Sequence, residues 1–305
     1  MLKIGSHVSN KGKDMLVGSI NEAISYDSTC FMVYLGAPQN TFRRPIGEQH
    51  ALELEQIASL YNIDLEDMIV HAPYIVNLAQ TDFDKHEFAV KTLSKELRGV
   101  ALIGAKYMVL HPGAHLENSV EVACERIADG INQILDNTAP DDTVILLETM
   151  AGKGTEVGRT FEEIKSIIDQ VKDKSRIGVC IDTCHINDGG YDIVNHYEDV
   201  IEEFDRVIGL KYVHALHVND SKNPCGSHKD RHENFGCGYI GFDTLMKFIN
   251  DKRFEDCPKI LETPYVMGPT GKTSYPPYRE EIAMIRSGKF DPNIKKKIID
   301  NALNK

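Results

Sequence analysis

Seven side chains able to bind metal or move protons stand where apolar runs of this chain stop, and two more lie in a long loop. IGVCIDTCH, Ile177 to His185, breaks off at Asp182 and His185; IVHAP reaches His71, YMVLHPG His111 and VILLETM Glu148. HALHVND carries His217, KILETP carries Glu262, and the later segment DRH adds Asp230 and His232. Five imidazoles and four carboxylates in one pocket would repel and desolvate one another at several kcal/mol each. Metal ions remove that conflict, because they bind ionised carboxylate and neutral imidazole. Mixed nitrogen and oxygen donors favour zinc, with manganese or iron as the other choices. At three to four ligands per ion, nine groups imply two or three ions with one carboxylate shared. A single strand histidine is more often a satisfied core group than a ligand; it is their coincidence that points to metal.

These residues share a pocket only if the elements bearing them converge. The apolar runs are short and partly β-branched, and amphipathic stretches such as EQHALELEQIASLY, SVEVACERIADGINQIL and HYEDVIEEFDRVIGL follow them. Thr160 with Glu163 three residues on reads as a capping box at one helix start. The segment before Leu102 carries helical periodicity through Phe88, Leu93, Leu97 and Val100. Eight strand–helix alternations without a linker predict an α/β protein, a single-domain (β/α)8 barrel over residues 1–305. Counting His7, seven of the eight expected strands carry His, Asp or Glu near the C-terminal end, the end that carries chemistry in such barrels. The non-periodic stretch from Asn219 to Gly241 is too long for a plain connection. His50, His86, His196 and His228 fall on helices or loops and are set aside, and His115 and His214 stay unassigned.

Hydrophobic content of 42% and charged content of 26% are those of a globular chain with a full core. No run approaches the ~18 apolar residues of a membrane helix, and MLKIGSHVSN has no leader signature, so a cytoplasmic protein is expected. The seven cysteines lack a CxxC pair, so Cys180 and Cys184 are read as packing. GPTGKTS is not a phosphate loop, since the first glycine of that motif would fall on Val266 and no helix follows. The net charge of −12 excludes coating nucleic acid by bulk charge. The acidic excess lies on the helices, however, whereas Lys11, Lys13, Arg43, Arg44, Lys153, Arg159, Lys222, Lys229, Arg231, Lys272 and Arg279 lie in loops leaving the expected mouth. A basic rim around a metal-lined mouth suits a phosphate-bearing polymer. Tyr74, Asn77 and the loop PQNTFRR could stack on or wedge between bases.

HAPYIVNLA, LHPGAHL, LLETMAGKG, GVCIDTCH, HVNDSK, GSHKDRHENFG and ILETP occur in this order, and the chain thereby resembles the endonuclease IV family of apurinic/apyrimidinic endonucleases from about Lys3 to Thr263. The resemblance implies a zinc-dependent barrel that cuts duplex DNA 5′ to abasic sites, leaving 3′-hydroxyl and 5′-deoxyribose phosphate ends, and that clears blocked 3′ ends. It implies three zinc ions: one on His71, His111 and Glu148; one on Glu148, Asp182, His217 and Glu262; one on His185, Asp230 and His232. Glu148 would be the catalytic centre. Tyr74 corresponds to the DNA-reading tyrosine and Gln39 to Arg44 to a second recognition loop, with Arg231 on the rim. Two positions depart from the family: Gly236-Cys237-Gly238 stands where Gly-Glu-Gly is frequent, and Asn40 stands where some members insert an arginine, with Arg43 and Arg44 following. A monomer is expected. The competing readings are a sugar isomerase or epimerase of the same barrel type, and a metal-stabilised DNA-damage binder without activity.

Overall fold

Short β-branched runs bounded by polar residues make strands that pair with the next strand in sequence, the last with the first. In the computed structural model, which describes residues 1–138 and 141–304, these are β1 Ile4–Ser6, β2 Met32–Val33, β3 Ile69–His71, β4 Tyr107–Leu110, β5 Val144–Glu148, β6 Ile177–Asp182, β7 Val213–His217 and β8 Lys259–Leu261. Every adjacent pair is parallel, from β2 through β8 and back to β1. The ring closes between β1 and β2 through a parallel bridge from His7 to Met32, where Val8 N donates to Met32 O at 2.9 Å. Helices α1 Met15–Ser25, α2 Ala51–Tyr61, α3 Phe83–Leu102, α4 Val120–Thr138 and α5 Phe161–Gln170 follow the first five strands in turn. Two helices, α6 Thr183–Gly189 and α7 Tyr197–Val207, follow β6; α8 Phe242–Asn250 follows β7, and α9 Tyr278–Ser287 and α10 Ile294–Leu303 follow β8. The architecture is a (β/α)8 TIM barrel.

Strand side chains alternate between two faces, and here the alternation sorts two cores. Met32, Ile69, Val109, Val144, Leu146, Cys180, Ala215 and Ile260 pack together inside the ring. Val70, Met108, Ile145, Leu147, Ile181, Leu216 and Leu261 belong to the larger core beneath the helices. Two residues beyond an interior position, the chain returns to the interior. That step leads from Ile69 to His71, Val109 to His111, Leu146 to Glu148, Cys180 to Asp182, Ala215 to His217 and Ile260 to Glu262. The same pleat that buries an apolar layer therefore aims six ligand-type groups into the barrel immediately above it.

Several elements are shorter than the apolar runs. FMVYLG contributes only Met32–Val33, and Tyr34 onward leaves the ladder as a loop. IGVCIDTCH is divided: the strand ends at Asp182, whose carboxylate caps a helix starting at Thr183, so His185 lies on the first turn of α6. In α3, Leu93, Leu97 and Val100 are buried but Phe88 is exposed, because the inward stripe runs through Ala89 and Val90 instead. At α5, Thr160 Oγ1 accepts from Glu163 N at 3.2 Å, while Glu163 Oε2 accepts from Gly158 N and Arg159 N. The cap forms, with its return arm placed one and two residues upstream of a standard capping box.

Candidate metal centre

Glu148 ends β5 at the middle of the mouth, 1% exposed, with four imidazoles around one carboxylate. His71 Nε2 lies 3.2 Å and His111 Nε2 3.1 Å from its Oε2. His217 Nδ1 lies 2.9 Å and His185 Nδ1 3.4 Å from its Oε1. His217 Nδ1 also faces Glu262 Oε2 at 3.1 Å, and His185 Nε2 faces Asp230 Oδ1 at 3.0 Å. Donor atoms of His71, His111 and Glu148 come within 4.8 Å of one another, as do those of Glu148, Asp182, His217 and Glu262, and those of His185, Asp230 and His232. All nine groups expected at the mouth are brought together, and Glu148 belongs to two sets.

Hydrogen bonds fix which ring nitrogen faces the pocket. His71 Nδ1–H donates to Ala72 O at 2.7 Å, His185 Nδ1–H to Thr149 O at 2.9 Å, and His232 Nδ1–H to Glu262 O at 3.2 Å. When these rings are neutral, each turns its Nε2 lone pair on a carboxylate oxygen, one acceptor against another. That contact is repulsive unless a cation lies between, and backbone-anchored Nδ1–H is the arrangement that orients a metal-binding imidazole. His232 Nε2 is buried without a hydrogen-bond partner, 3.6 Å from Asp230 Oδ1 and 3.7 Å from Asp182 Oδ2. The donor set thus fits mixed nitrogen–oxygen metal ligation.

With protons as the only cations, the same demand appears as displaced titrations. Burial alone would raise the Glu148 carboxyl, but the facing His217 and His111 imidazoliums outweigh it and hold it well below the usual range. Burial disfavours the charged form of His185 and His217, yet Asp182 and Asp230 around the first, and Cys180, Glu262 and Glu148 around the second, hold both well above an ordinary histidine. Asp182 moves upward, because burial outweighs its histidine neighbours. Asp182 and His217 are fully buried, whereas His111, Asp230, His232 and Glu262 keep part of their surface open at the mouth.

The cysteines flanking Asp182 are buried. Burial pushes the Cys180 thiol up to about 11 and raises Cys184 further, so both remain protonated packing groups. Cys184 nevertheless lies within 4.8 Å of Asp182 and His232 donor atoms, a closeness its sequence position did not predict.

Around the rim, Tyr74, Gln39, Asn40, Arg44 and Arg231 are exposed. Arg43 is a correction: it is buried, ion-paired with the buried Glu96 of α3, and donates to the carbonyls of Asn40 at 3.1 Å and Phe42 at 2.8 Å. It staples the loop and presents no charge to a ligand. Asn77 is half-buried and engaged within the chain, its Nδ2 donating to Ala114 O and its Oδ1 accepting from Ala79 N and Ala114 N. Beside Arg43 stands Phe42, part of the loop expected to meet bases, with 74% of its surface exposed.

A family model described as xylose isomerase-like TIM barrel matches residues 20–288. A probable endonuclease 4 of Acholeplasma laidlawii is 50% identical over 298 residues, covering 98% of this chain and 99% of its own. The chain belongs to the endonuclease 4 family. A second member, from Oceanobacillus iheyensis, is 48% identical over 303 residues, covering 98% of this chain and all of its own. Among solved structures, endonuclease IV of Thermus thermophilus superposes with a TM-score of 0.78 at 29% identity, covering 94% of this chain and 98% of that one. A D-tagatose 3-epimerase-like protein gives 0.68 at 15% identity and 99% coverage of both chains, which is a likeness of fold alone.

Sequence reading missed the groups that hold the candidate ligands. Asn219, fully buried, donates Nδ2–H to Asp182 Oδ2 at 2.7 Å and accepts Glu262 N at 2.7 Å. Asp188 Oδ2 accepts Asp230 N at 3.1 Å. Asp220 accepts from Ser221 N, Gly238 N, Ile240 N and Gly241 N. A Cβ on Gly238 would lie 2.2 Å from Ser221 O, and Gly236 sits at φ 79°, so both glycines of Gly236-Cys237-Gly238 are required. Cys237 between them is half-buried and carries no such constraint. The signal was present in HVND and GCG, but only as neighbours of a ligand.

Proposed function

We propose that this member of the endonuclease 4 family is a zinc-dependent DNA-repair endonuclease. It hydrolyses the phosphodiester bond 5′ to an abasic site in duplex DNA, leaves 3′-hydroxyl and 5′-deoxyribose phosphate ends, clears blocked 3′ ends, and serves base excision repair as a cytoplasmic monomer. The observation that carries this reading is the convergence of nine ligand-type groups, Glu148 among them, in three sets, in a chain half identical to named endonucleases over nearly its whole length.

His71, His111 and Glu148 would hold one ion, Glu148, Asp182, His217 and Glu262 a second, and His185, Asp230 and His232 a third. Zinc bound there supplies a Lewis acid for the phosphate and lowers the pKa of water toward neutral. Glu148 would be the shared carboxylate, and the facing His217 and His111 imidazoles keep it ionised against the pull of burial. The open edges of His111, Asp230, His232 and Glu262 face the side from which a phosphate enters. Arg44 and Arg231 contribute screening-sensitive phosphate contacts, which reconciles binding with the net charge of −12. Tyr74, with Gln39 and Asn40 on the neighbouring loop, meets the bases. A nucleotide lacking its base costs little to turn out of the stack, so the pocket selects damage by that difference.

The deciding assay is incision of a duplex holding one tetrahydrofuran abasic analogue, after chelation and again after zinc is restored. Zinc-dependent cutting on the 5′ side is expected, and Glu148→Gln should lose at least about 100-fold, since even outer-shell partners cost 10–100-fold. Near-normal incision by Glu148→Gln, or turnover of a ketose without any cutting, would overturn the reading. Retained damage binding and zinc without incision would decide for a binding protein. Light scattering on the same preparation tests the monomer.

A further inference from the structure

Glu281 lies on α9, beyond the eight strands, and no expectation from the sequence gave it a role. It is fully buried. Its Oε1 accepts from Asn234 Nδ2 and from Phe235 N, both at 3.0 Å, and its Oε2 accepts from Thr263 Oγ1. Asn234 stands two residues after His232 and also donates to Pro264 O at 2.9 Å. Thr263 immediately follows Glu262, whose carbonyl accepts His232 Nδ1–H at 3.2 Å. One carboxylate thus ties the loop carrying Asp230 and His232 to the end of β8.

That loop needs holding. Its regular pairing is a two-residue ribbon, Asp220–Ser221 against His232–Glu233, and Asp230 sits at φ 49°, a left-handed conformation. Three buried carboxylates outside the nine-group set accept its backbone N–H groups: Asp188 at Asp230, Asp220 at Gly238, Ile240 and Gly241, and Glu281 at Phe235. A purely space-filling role would be met more cheaply by an apolar side chain, since a buried carboxyl is costly unless its hydrogen bonds are used. Burial pushes the Glu281 carboxyl up to about 7, against the pull of Thr263, Phe235 and Asn234, which records that cost.

We propose that Glu281 is a positioning residue for the His185–Asp230–His232 ion, acting through Asn234 and Phe235 on the loop and through Thr263 on β8. The proposal rests on the reading above, in which that set holds zinc.

The test compares the zinc-loaded full chain with Glu281→Ala and Glu281→Gln under increasing chelator, counting zinc per chain by mass spectrometry. Glu281→Ala should release its most labile zinc at about tenfold lower chelator, the scale of an outer-shell loss, with the remaining zinc unmoved and kcat falling at constant KM. Glu281→Gln, which keeps the acceptor for Asn234 and Phe235, should restore wild-type retention. Release profiles that coincide for wild type and Glu281→Ala overturn the proposal even if the variant melts earlier. Should Glu281→Ala not fold, Asn234→Ala carries the same two outcomes, because it cuts the loop tie and leaves the carboxyl in place. If wild type itself holds no zinc or does not incise abasic DNA, the functional reading has failed instead, and the wild-type lane shows it.

Discussion

Asp182 Oδ1 accepts the backbone N–H of His185 at 2.8 Å, so the carboxylate that ends β6 also caps α6, the helix bearing the first imidazole of another set. Its Oδ2 accepts from Asn219 Nδ2 at 2.7 Å. One side chain thus sets the spacing between two of the candidate ligand sets. Asp182→Asn keeps a good cap but removes the charge, whereas Asp182→Ala removes both. Both variants should lose zinc and incision. In metal-free protein Asp182→Ala should be less stable than Asp182→Asn by about 1 kcal/mol, the usual worth of a cap. Chemical denaturation with excess chelator measures this, and equal stability of the two would exclude the capping role.

Arg43 and Arg44 are adjacent and of one charge, yet they should behave as opposites. Removing Arg43 leaves the buried Glu96 unpaired, a loss of roughly 3–5 kcal/mol for a buried pair. Arg44 is exposed, so Arg44→Ala should leave the melting temperature unchanged. It should weaken DNA binding and lower the salt slope by about 1. A stable Arg43→Ala variant with a reduced salt slope would reverse the assignment.

Zinc affinity should rise with pH. In the metal-free pocket His185 and His217 are held protonated above their ordinary range, because nearby carboxylates outweigh the burial that disfavours the charge. A raised imidazole stabilises the fold fully below its unfolded pKa and loses that contribution as pH climbs through the folded value. Zinc must displace those protons, so the gain in melting temperature on adding zinc should be larger at about pH 9 than at about pH 6. Thermal melts with and without chelator across that range provide the check. A gain independent of pH would mean that these rings are already neutral.

Glu281 gives a second, separate dependence. Its carboxyl is raised to about 7 by burial, so the folded state holds a proton that the unfolded chain gives up near 4.5. Stability from this group therefore falls as pH rises between those values, by on the order of 3 kcal/mol, and stays level above them. Metal-free Glu281→Gln should flatten that segment of the stability curve. An unchanged slope would show that Glu281 titrates normally.

The barrel was legible because its signals are local. Apolar runs of period two alternating with amphipathic stretches determine eight strands and the helices between them, and the interior layer from Met32 to Ile260 follows from the pleat alone. For the same reason His71, His111, Glu148, Asp182, His217 and Glu262 could be placed before any coordinates: each is an even step beyond an interior residue. Once the ring closes, parity and convergence leave them one place to go.

What only the tertiary structure decided is what the side chains answer to across the chain. Arg43 reads as a rim cation from its neighbours, but Glu96 on α3 takes it inside. His185 belongs to a helix because the Asp182 carboxylate finds its N–H. Asn219, Asp188, Asp220 and Glu281 carry no local signature, since the bonds by which they tie Asp182, Asp230, Gly238 and Asn234 span 18 to 47 residues. Residue type and spacing name the candidate ligands, because strand geometry is periodic. The groups that hold them depend on long-range hydrogen bonds, which have no period to read.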